Sequence, residues 1–213
     1  MGLTIRKATE QDAPALCRIC LLTADAGESA QNLYDYAELP GLIWAVPYVK
    51  LPTTWGFVLV DDAVKDETMM QDLVVGYILG TTDTRAFEQY AAQHWWPAQA
   101  EKYSISIASK PADARCINLL LNMHAASAAN LLFADAHMHI DIMKEYQGMG
   151  WGRRLVGRAV EYLKEVGVRG DGLWLGLDPR NTNARKFYEK LGFKPVPSAD
   201  ENQMGLKFAD WNT

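Results

Sequence analysis

The feature that most restricts this chain is the run Gln147-Gly148-Met149-Gly150-Trp151-Gly152, three glycines at alternate positions between segments of opposite periodicity. Upstream, Ala136 to Met143 alternates as a strand does; downstream, Arg153 to Val166 has the apolar spacing of a helix packed on one face. Strand, glycine-rich turn and helix N-terminus together make a seat for a phosphate, because glycine lets backbone come close and the first N–H groups of a helix have no partner within it. Two nucleotide patterns fail. A dinucleotide fingerprint sets its glycines after an early strand, with an acidic ribose partner about twenty residues on, whereas this run lies late in the chain. A Walker loop needs Gly-Lys-Ser or Gly-Lys-Thr, and neither occurs.

A chain of 213 residues can bury a substantial core, and the absence of repeats or low-complexity linkers makes residues 1–213 one expected domain. With 49% hydrophobic and 22% charged residues, disordered and fibrous classes are excluded. No apolar run reaches the length of about 18 residues that a membrane helix needs. Met1 to Arg6 lacks a secretory apolar core, and Arg6 stands where a myristoylation signal has Ser or Thr, so the expected location is cytoplasmic with no membrane partner. A net charge of -5 argues against a nucleic-acid partner and suits a cationic ligand. Cys17 and Cys20 form a C-x-x-C, but zinc would need two more ligands and Cys116 stands alone. Two apolar helix residues is the plainer reading, and no metal is expected.

Taken in order, Leu3–Ala8 reads as a strand and Asp12–Ala24 as a helix. Asn32–Glu38 reads as a short helix, and Pro40-Gly41, Pro47 and Pro52 break the remainder into loops. Trp55–Val60 and Leu73–Gly80 read as antiparallel neighbours joined by a long polar turn, Asp61 to Asp72. Thr84–Lys102 reads as a helix that Pro97 interrupts or bends, Cys116–Met123 as a short buried helix and Ala125–Asn130 as a loop. Beyond the glycine run, Leu173–Leu177 is a buried strand, Asn183–Leu191 a helix stopped by Gly192, and Phe193–Val196 and Met204–Phe208 are strands.

The glycine run resembles the signature of the GCN5-related N-acetyltransferase (GNAT) superfamily: Gln or Arg, two residues, Gly, one residue, then Gly or Ala. Asn181-Thr182-Asn183-Ala184-Arg185-Lys186-Phe187-Tyr188-Glu189-Lys190-Leu191-Gly192-Phe193 resembles its second block, in the right order and at the usual distance. The resemblance implies an α/β fold with a mixed, mostly antiparallel sheet flanked by helices and splayed at the cofactor site. His139-Ile140-Asp141-Ile142, Thr82 to Phe87, Leu39 to Leu42 and Asp178 to Asn181 look like a narrower group, the acetyltransferase-like domain of protein O-GlcNAcase and its stand-alone microbial relatives. The animal fusion has a degraded cofactor motif; this chain retains it.

The family's donor is acetyl-coenzyme A, and the resemblance maps its site onto Ile140, Asp141, Ile142, Gln147, Gly148, Met149, Gly150, Trp151, Gly152, Arg153, Asn181, Asn183 and Tyr188. Backbone N–H groups from Gly148 to Gly152 suit the pyrophosphate, with charge from Arg153 and Arg154, while the pantetheine arm pairs like an extra strand near Ile140 and Ile142. Tyr188 matches the family's general acid, its plainer role being a packed helix tyrosine. Asn181 matches a pantetheine contact and can equally cap its helix, as can Asn183.

No glutamate stands on the C-terminal splayed strand, where Gly176 falls near the position one sometimes occupies. Asp141 is the first substitute base, an acid in an otherwise apolar strand whose pKa burial would raise; a structural carboxylate is the alternative. His137 and His139 share its face and read as packed or water-linked histidines. The expected activity is direct acetyl transfer, in a ternary complex, to a primary amine on a small molecule or peptide. The alternative is a weak or inactive acetyl-coenzyme A-binding protein serving interaction or sensing. The acceptor groove is expected from Gly27 to Pro52 and Thr84 to Met123, and the assembly is monomer or homodimer.

Overall fold

The computed structural model describes residues 2–66 and 71–211. Seven strands form a sheet in the order β1-β2-β3-β4-β5-β7-β6, with β1 Leu3–Lys7, β2 Thr54–Asp66, β3 Gln71–Thr81, β4 Ala136–Ile142, β5 Gly172–Gly176, β6 Lys194–Pro195 and β7 Gln203–Lys207. All neighbours are antiparallel except β4 and β5. The helices are α1 Ala13–Thr23, α2 Leu39–Trp44, α3 Pro47–Lys50, α4 Thr84–His94, α5 Trp96–Ala100, α6 Pro111–Leu121, α7 Ala128–Phe133, α8 Trp151–Val166 and α9 Thr182–Lys190. This is the mixed, mostly antiparallel α/β architecture expected.

Both faces of the sheet are covered. Phe57, Leu59, Ile78, Met138, Ile142 and Leu173 pack on α8 through Leu155, Val156, Ala159 and Leu163. On the opposite face, Val58, Val60, Tyr77 and Leu79 meet Leu16, Ile19 and Cys20 of α1, Tyr48 of α3 and Phe87 of α4. Leu39, Ile43, Trp96, Ile117 and Leu120 then join α2, α5 and α6 in an outer layer on α1. Each fully buried Leu or Ile contributes about 1.5–3 kcal/mol, more than helix propensity offers, so packing decides where these helices lie. Left-handed glycines bound α8, Gly150 at φ 83° before it and Gly167 at φ 68° after it.

The structure corrects several boundaries. The polar stretch expected as a turn is largely strand: β2 runs on to Asp66 and β3 starts at Gln71, with a register shift between Asp61 and Lys65. The tip of that turn, residues 67–70, lies outside the described residues. Thr84–Lys102 is interrupted near Pro97, as expected, dividing into α4 and α5, and Pro97 sits in the first turn of α5, where a missing N–H costs nothing, so it opens a second helix. Asn32–Glu38 keeps only the single turn Gln31–Leu33. Leu39–Trp44, read as loop, is helix: Pro40 again occupies a first turn, and Gly41 lets α1 approach so closely that a Cβ would stand 2.7 Å from Cys17 Cα. The helix read as Cys116–Met123 starts at Pro111, and the expected loop Ala125–Asn130 runs into α7, whose Asn130 N–H donates to the Ser127 hydroxyl. Gly192, at φ 95°, ends α9 as expected. Among the described residues no helix is long and apolar enough to cross a membrane.

Candidate active site

Strands β4 and β5 pair only at Ala136 with Leu173 and His137 with Trp174. From Met138 onward that edge of β4 has no strand partner among the described residues, so its backbone groups, apart from the Ile142 carbonyl that Gln147 takes, are available to an extended ligand. The expected splay is therefore present. A cleft of about 410 Å³ opens beside it, and Ile140, Asp141, Ile142, Gln147, Gly148, Gly150, Gly152, Arg153, Asn181, Asn183 and Tyr188 all line it. Two expected residues do not: Met149 points outward, half exposed, and Trp151 packs against the core.

The Gln147 side-chain amide donates to the Ile142 carbonyl at 2.8 Å, fastening the turn to the end of β4. Gly148 (φ 74°) and Gly150 (φ 83°) take left-handed backbone, and a Cβ on either would meet nothing within 4 Å. Glycine there serves conformation and leaves open backbone. Gly152 serves packing instead: a Cβ would stand 2.8 Å from Phe187 Cζ, so its absence lets α9 close on α8. Arg153 lies over the Trp211 ring at 5.0 Å and lines the cleft, whereas Arg154 stacks on Trp151 at 4.4 Å. An open glycine backbone at a helix start, an arginine and a free strand edge fit a long ligand with a phosphate end.

Asn181 caps α9, its Oδ1 accepting from Ala184 N–H at 2.9 Å, so the helix-capping role is real and falls to Asn181 instead of Asn183. The Tyr188 ring lies 5.3 Å from both Phe187 and Phe193, and burial, with Asp141 nearby, pushes its phenol up, keeping the proton on at neutral pH. Asp141 accepts a hydrogen bond from the Tyr77 hydroxyl at 2.5 Å. Burial raises its pKa to about 6, against the opposing pull of the Tyr77 and Thr23 hydroxyls. Asp141 is thus both hydrogen-bonded and poised near neutrality.

A larger cleft of about 770 Å³ lies along the same strand, reached by His137, Met138 and His139. Ile43, Trp44, Tyr48, Phe87, Glu88 and Trp96 come from the two stretches expected to supply an acceptor groove; Trp174 and Gln203 do not. Of the histidines read as packed or water-linked, His137 is packed, its Nε2 bonded to the Tyr48 hydroxyl and its Nδ1 to the Thr84 hydroxyl, both at 2.7 Å. Among the described residues no three His, Cys, Asp or Glu side chains gather as metal ligands. Burial pushes the Cys17 thiol up to about 11 and Cys20 higher than its ordinary value, which fits inert helix cysteines. Sequence reasoning missed Tyr48 and Tyr77, whose only trace was a polar group within an apolar segment, and it singled out Thr84 only within the run Thr82 to Phe87, without a role in the cleft.

Residues 52–193 match the sequence profile of the acetyltransferase (GNAT) family, and the chain belongs to that family. Its fold is the GNAT fold. The crystal structure of SsHAT superposes with a TM-score of 0.83 at 30% identity, covering 98% of this chain and 99% of that one. The PaiA N-acetyltransferase of Thermoplasma acidophilum, solved with coenzyme A, shares the fold at TM-score 0.52 and 15% identity, over 97% of this chain and 99% of that one. The [ribosomal protein bS18]-alanine N-acetyltransferase of Haemophilus influenzae is 45% identical over 58 residues, 27% of this chain and 38% of that protein. An uncharacterised N-acetyltransferase of Methanocaldococcus jannaschii is 38% identical over 61 residues, 29% of this chain and 26% of that protein. The chain thus spans well under half the length of these two curated relatives.

Proposed function

We propose that this protein is an N-acetyltransferase that uses acetyl-coenzyme A and acetylates a primary amine within a ternary complex. The observation that carries the reading is the convergence of the glycine turn, the unpartnered edge of β4, Asp141 and Tyr188 on one cleft, beside a second cleft large enough for an acceptor. Acetyl-coenzyme A, when bound, supplies an acetyl thioester with coenzyme A as the leaving thiol. Gly148 to Gly152 and Arg153 would hold its phosphate end, and the edge from Ile140 to Ile142 would hold its arm and offer a backbone donor to the acetyl oxygen. Asp141 is the proposed base that takes a proton from the amine, and Tyr188, kept protonated, gives one to the leaving thiolate.

The acceptor is a peptide or small-molecule amine, and the aromatic, hydrogen-bonding character of the larger cleft supports a ligand bigger than a bare alkylamine. We also infer a closer kinship with the O-GlcNAcase-type domain, since Thr84, Arg85 and Phe87 line one cleft and Ile140 to Ile142 and Asn181 the other. One domain over residues 1–213 is supported by the 98% coverage of the SsHAT likeness. A cytoplasmic location is supported by three free cysteines.

The test is calorimetry with acetyl-coenzyme A on wild type and Gly150→Val, followed by coenzyme A release with polyamines, amino sugars, aminoglycosides and lysine-bearing peptides. Binding lost in the variant, and turnover with one amine class, is the expected result. Absent binding in the wild type overturns the reading; binding without turnover replaces it with the sensing alternative.

A further inference from the structure

Four side chains along the floor of the larger cleft form a hydrogen-bond chain whose directions are all fixed by chemistry. It ends at a carbonyl: Thr84 Oγ1 lies 2.6 Å from the Asp135 backbone oxygen, which only accepts, so the Thr84 proton goes there. Thr84 Oγ1 must then accept from His137 Nδ1, 2.7 Å away, which makes His137 the Nδ1–H tautomer. His137 Nε2 is therefore a bare acceptor, and the Tyr48 hydroxyl at 2.7 Å donates to it. With its proton spent, Tyr48 oxygen accepts from His139 Nε2 at 3.0 Å, so His139 is held as the Nε2–H tautomer. Phe87 stacked on Tyr48 at 4.7 Å holds the middle of the chain in place.

What remains is His139 Nδ1, a lone pair with no hydrogen-bond partner among the described residues. It is not sealed in the core, since among the described residues Trp55 Nε1 is the one buried side-chain N or O atom without a partner. His139 lines the larger cleft, two residues along β4 from Asp141. We propose that His139 Nδ1 is a hydrogen-bond acceptor for the attacking amine, and that the Tyr48–His137–Thr84 chain exists to keep that nitrogen unprotonated. This rests on the acetyltransferase reading and deepens it. Asp141 takes the proton, while His139 orients the amine through its other N–H. The selectivity follows from the tautomer: a ligand presenting a carbonyl or carboxylate at this point meets a lone pair and is rejected, whereas an amine or ammonium is accepted. Burial, which holds the His139 pKa at about 4, keeps the imidazole neutral throughout the working range.

Two measurements test it. Nitrogen NMR of histidine-labelled protein at neutral pH needs no ligand, and should show His139 with a protonated Nε2 and a bare Nδ1; a protonated Nδ1 overturns the inference and leaves the acetyltransferase reading intact. Steady-state kinetics use a lysine-bearing peptide, or whichever amine of the panel is acetylated. His139→Leu should raise acceptor KM about tenfold with acetyl-coenzyme A affinity unchanged. His139→Asn, whose Oδ1 stands near the place of Nδ1, should recover most of that loss, and Tyr48→Phe, which frees the tautomer, should raise acceptor KM severalfold. An acceptor KM within twofold of wild type in His139→Leu, or failure of Asn to do better than Leu, refutes the role. If no amine in the panel is acetylated, the acetyltransferase reading falls and the amine role falls with it, even where the NMR shows the expected tautomer.

Discussion

Asp141 carries a cost that its proposed role as a base would explain, and the cost can be measured. An aspartate ordinarily titrates near 3.8; in the fold it titrates at about 6, chiefly because burial disfavours its charge. The folded state therefore binds a proton more readily than the unfolded chain between those values, so stability falls as pH rises from about 4 to about 6. Below 3.8 the penalty is absent, and above 6 it is complete. A shift of about two pH units corresponds to about 3 kcal/mol as a ceiling, and water reaching the half-buried carboxylate through the cleft lowers it to about 1–2 kcal/mol. Asp141→Asn removes the charge and keeps an oxygen for the Tyr77 hydroxyl. We expect the variant to be more stable than wild type at pH 7.5 by about 1–2 kcal/mol, roughly 2–8 °C in melting temperature for a chain of this size. Denaturant titrations at several pH values should show the difference shrinking to nothing near pH 3.5. Turnover should fall about 100-fold at pH 7.5, and wild-type kcat/KM should rise with pH through about 6. A variant less stable than wild type at neutral pH, or an advantage that persists below pH 3.5, refutes the argument.

Tyr188→Phe should lower kcat about 100-fold while acetyl-coenzyme A affinity by calorimetry stays within threefold, and an unchanged kcat would end its role as an acid. Gly150→Val should cost about 1–2 kcal/mol in chemical denaturation, because a branched side chain is forced to φ 83°, and should abolish cofactor binding by placing a Cβ over open backbone. Gln147→Ala, which cuts the turn loose from Ile142, should weaken cofactor affinity several-fold and leave acceptor KM unmoved in double-substrate kinetics. Asp113, fully buried, accepts from the Asp35 and Tyr36 N–H groups at 3.0 and 3.2 Å. Asp113→Ala should therefore lower the melting temperature by roughly 10 °C, about 3 kcal/mol, and a drop under 2 °C would show that those amides find other partners.

The parts of the site that sequence revealed are those whose determinants lie close together along the chain. Gly150, Gly167 and Gly192 sit where a helix needs a left-handed residue, and α8 and α9 repeat their apolar positions every turn, so a window of some dozen residues contains the whole signal. The larger cleft was legible only as two hard stretches of chain. Tyr48 meets His139 across 91 positions and Tyr77 meets Asp141 across 64, and nothing local marks those pairs. The Leu39–Trp44 helix was obscured because Pro40 and Gly41 read as breakers, when one merely opens a turn and the other makes room for Cys17. The continuation of β2 to Asp66 hid behind polar residues that pair as strand outside the core.

The two clefts owe their different chemistry to the two-residue period of β4. Ala136, Met138 and Ile142 turn toward Leu155, Val156 and Ala159 of α8, with Ile140 packed beside them. His137, His139 and Asp141 turn the other way, toward Tyr48 and Tyr77. A slip of one residue against β3 would exchange the sets, burying two imidazoles and a carboxylate under α8. The observed register, from Gly76 opposite Ile142 to Thr81 opposite His137, forbids this through the apolar half of the strand. The hydrophobic residues of β4 are therefore what aims its polar ones: the packing that anchors the strand also delivers His139 to the larger cleft and Asp141 to the smaller, at the point where β5 has turned away.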